Sequence, residues 1–267
     1  MTHVSGPPGH SATKSTASSA RKATIVGSAT VTLRNQDGPW IAQWLSQERL
    51  NVYLAATATR SDALALYEWN CEASTAVFRD LGHIEIALRN AYNHAIEAAW
   101  SGPGHWTDHP NIFFAPEYRT RRNRNGTRNR VDINKENRKI LTAARAKAIE
   151  DAAPSAHSPG KVVAELSFGF WRFLTDRPHE TSVWTPYLHH AFPAGTNRRD
   201  VDKMVVGLHR LRNRVAHHEP LFTANLAAQH ASILALATLF DPSMAAYIAG
   251  RSAVPQLVQT RPPLSTP

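Results

Sequence analysis

Two stretches of the chain place an asparagine directly after an arginine and a histidine five positions beyond that arginine: Arg212-Asn213-Arg214-Val215-Ala216-His217 and Arg89-Asn90-Ala91-Tyr92-Asn93-His94. With 23 arginines and 14 histidines in 267 positions, such an Arg-His spacing arises about once by chance, and requiring the asparagine lowers the expectation to about 0.06. These residue types suit cleavage of RNA by its own 2′-hydroxyl. In the 212–217 stretch His217 moves a proton, Arg212 stabilises charge building on the phosphorane, and Asn213 orients one of the two. Because the substrate supplies the nucleophile, no metal or cofactor is needed, and DNA, which lacks that hydroxyl, should resist.

The elements that must position these groups are helical. Pro220 disfavours helix at Glu219, so a helix entering from Asn197 is predicted to finish near His218, with His217 and His218 in its last turn. The negative end of the helix dipole there favours imidazolium. Arg212 and His217 stand about 140° apart around the axis, so they do not stack on one face. They meet only across a groove, or where a second copy of the helix completes the site, which predicts a composite cleft in a two-fold homodimer. His218 remains a competitor for the role of His217. In the other motif Glu85 precedes Arg89 by one turn, the spacing of a helical ion pair. Arg89, Asn90 and His94 are then a second half-site, or Glu85 and Arg89 buttress Arg212 and His217 across a helix interface. Read without chemistry, Arg212, Arg214 and His217 simply cap and solvate a helix end.

The formal charge is +9, and 23 of the 30 cationic residues are arginine, whose planar fork suits phosphate. A GC-rich coding bias would give the same excess. Residues 117–130 read as a basic loop whose Arg119, Arg121, Arg122, Arg124, Arg128 and Arg130, with Arg214, offer phosphate contacts; a solvated run without function is equally compatible. Residues 1–38 and 259–267, poor in periodic apolar residues, read as disordered tails around one helical domain over 39–258. Within it a helix from Trp40 reaches Leu54, Ser61 and Asp62 offer an N-cap to the next, and Gly82 is expected to break or bend that run. Helices follow from Asp132 to Asp151, Lys161 to Asp176, Ser182 to Phe192, Asn197 to His218, Ala224 to Phe240 and Ser243 to Ala249. No alternating run argues for a sheet, so the fold class is all-α.

Other chemistries lose ground. Gly160-Lys161 is followed by Val162, so there is no phosphate loop, and no Gly-x-Ser-x-Gly elbow or third glycine beside Gly102 and Gly104 occurs. His105 and His109 have zinc-ligand spacing, but Gly104 and Pro110 bracket them and argue for a packing or surface role. His189 and His190 read as cap or interface residues, and Ser167 to Trp171 as core. The single cysteine, Cys71, excludes a disulfide framework and suits a reducing cytoplasm; no membrane segment or signal peptide is evident.

The string Leu211-Arg212-Asn213-Arg214-Val215-Ala216-His217-His218-Glu219-Pro220 resembles the Arg-x4-6-His signature of the HEPN superfamily, in the form found in Abi-like (abortive infection) proteins. Leu166-Ser167-Phe168-Gly169-Phe170-Trp171 and Glu85-Ile86-Ala87-Leu88-Arg89-Asn90 resemble that family's core segments and occur in the expected order between about Trp40 and Pro255. The resemblance implies a HEPN-type helical bundle with additional helices and a homodimer. It also implies a metal-independent endoribonuclease with Arg212, Asn213 and His217 in the RNA cleft, acting as a toxin-like phage-defence effector with an antitoxin or sensor partner. The alternatives are a non-catalytic HEPN module that binds RNA, nucleotide or a partner protein, and a purely structural interaction protein.

Overall fold

Pro39 precedes a first helix, α1 (Trp40–Leu45), in the computed structural model, which describes residues 38–150 and 158–265. The tail expected over residues 1–38 lies, apart from Gly38, outside the described residues. The single helix expected from Trp40 to Leu54 is two, because Ser46 adopts φ 65° and ψ 150°. Its hydroxyl accepts the Arg49 N–H and caps α2 (Gln47–Leu54).

Helix α3 (Arg60–Ala99) runs unbroken for 40 residues, about 60 Å. Its N-cap is Thr59, whose hydroxyl accepts the Asp62 N–H, rather than Ser61 or Asp62. Leu66, Ala73, Val77, Leu81, Ile84, Leu88, Tyr92 and Ile96 form a buried stripe with near-helical spacing. Burying each large member stabilises by roughly 1.5–3 kcal/mol, against about 1 kcal/mol for a mid-helix glycine. Gly82 therefore neither breaks nor ends the helix, and the expected break is corrected. Open space surrounds the position where its Cβ would be.

After a 3-10 turn at Trp106–Asp108 and the short α4 (Pro110–Phe113), the stretch expected as a loop forms a hairpin, β1 (Tyr118–Arg122) paired antiparallel with β2 (Arg128–Asp132). Gly126, at φ 84°, serves the turn. The fold is thus mainly helical rather than purely so. The hairpin escaped sequence reading because both its faces meet solvent, which leaves no apolar alternation to detect. Its base is fixed by Asp132, which takes the N–H groups of Glu117 and Asn134 and pairs with Arg138.

Helix α5 (Lys135–Glu150) follows, then α6 (Pro159–Glu165) and α7 (Phe168–Phe173), where a single helix was expected. Residues 177–191, expected as helix from Ser182, form 3-10 and π turns instead. Helix α8 (Arg198–Ala216) carries the Arg-Asn motif, and α9 (Leu226–Phe240), α10 (Pro242–Ala249) and α11 (Val254–Gln259) close the chain. Residues 260–265, within the expected C-terminal tail, carry no helix or strand but bond back to the domain. Arg261 donates to the Phe222 carbonyl at 3.2 Å, and the Ser265 N–H to that of Ala56 at 2.9 Å.

One core joins the α3 stripe to Trp106, Phe114, Phe168, Phe170 and Trp171, and to Val201, Val205, Leu208 and Leu211 of α8. A smaller cluster of Ile41, Leu45 and Leu50 seats α1 and α2 beside α3. Among the described residues no helix is long and apolar enough to cross a membrane.

Candidate functional site

Helix α8 ends through its own backbone. His217 is its C-cap, and His218 adopts φ 53°. The His218 N–H donates to the Val215 carbonyl at 3.0 Å and the Glu219 N–H to the Arg214 carbonyl at 2.9 Å, a Schellman closure in which glycine is the usual residue at the position of His218. Arg214 takes part here, bonded to the Pro220 carbonyl and 3.4 Å from the Glu219 carboxylate, and so secures the turn. The Leu221 N–H then docks on Asn70 Oδ1 of α3 at 2.6 Å.

Arg49 Nη1 of α2 donates to the His218 carbonyl at 3.0 Å. Among the described residues the only two non-glycines at positive φ are Ser46 and His218, and both bond to Arg49. Such strain persists only where the surroundings over-determine it, and it concentrates at functional sites. Replacing His218 by glycine should relieve about 1–2 kcal/mol of left-handed strain and cost about 0.5–1 kcal/mol of chain entropy. The variant is expected to melt roughly 2–4 °C higher. A lower melting temperature would mean that the His218 ring, and not the backbone turn, holds the helix end.

Between α1, α2, α3 and the end of α8 lies a groove of about 930 Å³. Trp44, Tyr53, Tyr67 and Phe78 give it aromatic walls, Asn70, Ser74 and Thr75 a polar strip, and Arg49, Arg212 and His218 its cationic and imidazole groups. Burial pushes the Tyr53 and Tyr67 hydroxyls up to about 12 and raises the Cys71 thiol, so these groups stay protonated near neutrality.

Arg212, a third exposed, has its Nε 3.9 Å from Glu85 Oε2, while Glu85 Oε1 accepts the Phe168 N–H at 3.2 Å. Glu85 thereby ties α3, the start of α7 and α8 together, and it serves Arg212 in place of the expected pair with Arg89. Arg89, half-buried, is one turn further along α3. His94 is exposed and stands about 180° around the helix from Glu85, roughly 13 Å along it, which separates it from the Arg212 side. Asn90 is exposed too.

His217 is exposed and lies outside the groove lining, whereas His218 is part of it. Asn213 is half-buried, and its carbonyl takes the His217 N–H at 2.9 Å. The groove lining thus holds Arg212 and His218, with Glu85 beside Arg212, and does not include His217.

Sequence reasoning missed Arg49, Trp44, Ser74 and His209. His209 precedes Arg212 by one turn, a spacing that could have flagged it. Its ring meets Phe168 edge-on at 5.6 Å. Burial, with Arg172 and Arg212 alongside, lowers its pKa, so the ring is neutral near pH 7 and able to accept.

The hairpin presents Arg121, Arg122, Arg124, Arg128 and Arg130 to solvent, with Arg122 directly opposite Arg128. Like charges in that register cost stability unless an anion lies between them. Arg119 is held instead by Glu117 at 2.7 Å and the Pro178 carbonyl at 2.8 Å. His105 caps a turn and bonds to Glu97 and Thr107, and His109 stacks on Trp100. Among the described residues no group of three or more His, Cys, Asp or Glu is placed to hold a metal ion.

The model of a protein family described as Abi-like protein matches residues 39–223, from the start of α1 to just beyond the turn that closes α8. Comparison with curated proteins and with solved structures gives no match.

Proposed function

From the premise that the chain belongs to the Abi-like protein family, we propose that it is a metal-independent endoribonuclease of the HEPN type, serving abortive infection as a toxin-like effector. One observation carries the reading: the Arg-Asn-x3-His element ends α8 at a groove that Arg212 enters, with Glu85 behind its guanidinium. In the reaction the 2′-oxygen bonds to the adjacent phosphorus and the bond to the 5′-oxygen breaks. One proton leaves the 2′-hydroxyl and one is delivered to the departing 5′-oxygen. His217 handles a proton at the C-terminal end of α8, Arg212 neutralises the phosphorane, and Asn213 orients the pair. The products are a 2′,3′-cyclic phosphate and a 5′-hydroxyl. The exposed hairpin arginines supply phosphate contacts, which raise affinity without reading sequence.

Arg212 and His217 of one chain face different sides, which supports a composite site in a homodimer. The half-exposed Phe78 and Ile86 continue along α3 past Gly82 from the groove and offer an apolar face for a second copy. An antitoxin or sensor partner would compete for this face or for the hairpin. The same divergence of Arg212 and His217 favours the second reading, a non-catalytic HEPN module that binds RNA, nucleotide or a partner protein, if the chain works as a monomer.

Digestion of total RNA by the full chain in EDTA, beside an Arg212→Ala, His217→Ala double variant, decides between them. Cleavage by the wild type alone, leaving cyclic phosphate ends and sparing both DNA and 2′-O-methyl RNA, is expected. Activity that vanishes in EDTA and returns with magnesium would overturn the mechanism, and binding without cleavage would leave the module.

A further inference from the structure

We propose that the groove beside Arg212 is a subsite for one unpaired nucleobase of the RNA strand, with Trp44 as its stacking platform and Ser74 as a polar contact to the base edge. The inference rests on the ribonuclease reading for its substrate, but its geometry is independent of any cleavage. Trp44 leaves 60% of its surface exposed on a six-residue helix, where burial would be the ordinary fate of an indole. It is held in place from behind: Trp40 stacks on it at 6.1 Å and 25°, and Tyr67 meets it edge-on at 5.8 Å. An exposed but orientated ring accepts a base on its open surface, and stacking serves any base because each has a π-face.

Opposite polarity lies within the same groove. Ser74 is 9% exposed, and its Oγ is buried without a hydrogen-bond partner. A buried hydroxyl left unsatisfied costs stability, and the nitrogen and oxygen edge of a base would satisfy it. Asn70 is fixed beside it by the Leu221 N–H, while Arg49 and Arg212 provide the positive charge that the adjoining phosphates require. The volume of about 930 Å³ lies within the range of small-ligand sites and is ample for a nucleotide. Aromatic walls, two guanidiniums and an unmatched hydroxyl in one groove describe the chemistry of a nucleotide better than that of an apolar helix or a peptide.

Binding of five-residue, fully 2′-O-methylated RNAs to the full chain tests this without cleavage. The oligomers differ only in the central base, and nucleoside monophosphates form a parallel arm; affinity is read by calorimetry. Trp44→Ala is expected to weaken oligomer binding by about 5- to 150-fold, with Trp44→Phe recovering most of it. Ser74→Ala should leave the melting temperature unchanged or raised while flattening the preference among central bases, a combination that a packing role does not produce. Wild-type affinities and preferences in both alanine variants would overturn the subsite, whatever the protein does to cleavable RNA. Monophosphates binding as tightly as the oligomers would reassign the groove to a free nucleotide and equally overturn it. Loss of binding in Trp44→Ala, in a protein that cleaves no RNA, would uphold the subsite and remove the ribonuclease reading alone.

Discussion

Cleavage of RNA in EDTA is expected to fall by about 10²- to 10⁴-fold in His217→Ala, the cost of losing a positioned acid or base. Arg212→Lys should fall by about 10²- to 10³-fold. Lysine keeps the charge, but Arg212 is asked for more than charge. Its Nε lies toward Glu85 at 3.9 Å, and the far edge of the planar fork is the part that can hold two phosphate oxygens. A lysine at the same site either pairs with Glu85 or reaches the phosphate, and cannot divide itself between them. His218→Ala is expected to cost less than His217→Ala and to act mainly on KM, because His218 contributes its carbonyl to Arg49 and its side chain to the groove wall. Initial rates on one defined RNA, with circular dichroism to exclude unfolding, check all three. The reverse order of the two histidines would move proton transfer to His218, and with it the whole reaction into the groove of a single chain.

The parts of this molecule that were legible beforehand are those set by local rules. Pro220 rules out helix at Glu219 and so brackets the end of α8, though the turn at His218 closes that helix earlier, at Ala216; the apolar spacing marks helical faces on both sides of Gly82, though not that they are one helix. What stayed hidden was decided by partners far away in sequence. Ser46 and His218 adopt positive φ without a glycine to announce it, because Arg49 bonds to both, the second across 169 positions. Glu85 had an arginine available at i+4 and pairs across α8 instead, since the α7 N–H and the half-buried Arg212 lie on its side of α3. The hairpin had no inside face to be read from its sequence. The Arg-Asn-x3-His spacing was therefore recognisable in the sequence, while the groove beside Arg212 depended on α1 and α2, where no motif was seen.

Mixing two dead proteins is expected to restore activity. His217→Ala keeps Arg212, and Arg212→Ala keeps His217. In a two-fold dimer whose site combines Arg212 of one protomer with His217 of the other, each mixed dimer has one intact site and one that lacks both groups. With free exchange of subunits half of the dimers are mixed, so an equimolar mixture should recover about a quarter of wild-type cleavage. The geometry behind this is the separation of about 140° around α8 between the two side chains, together with the placement of Arg212 in the groove and of His217 outside it. A site complete within one chain predicts no recovery at all, since neither variant then holds a working set. The mixture must be allowed to exchange, which dilution followed by reconcentration achieves, and sedimentation at micromolar concentration must show dimers before and after. Recovery from near zero to a quarter is a large signal against the residual rate of either variant alone. Its absence in a proven, exchanging dimer would return both groups to the same chain and make the second protomer a structural partner only.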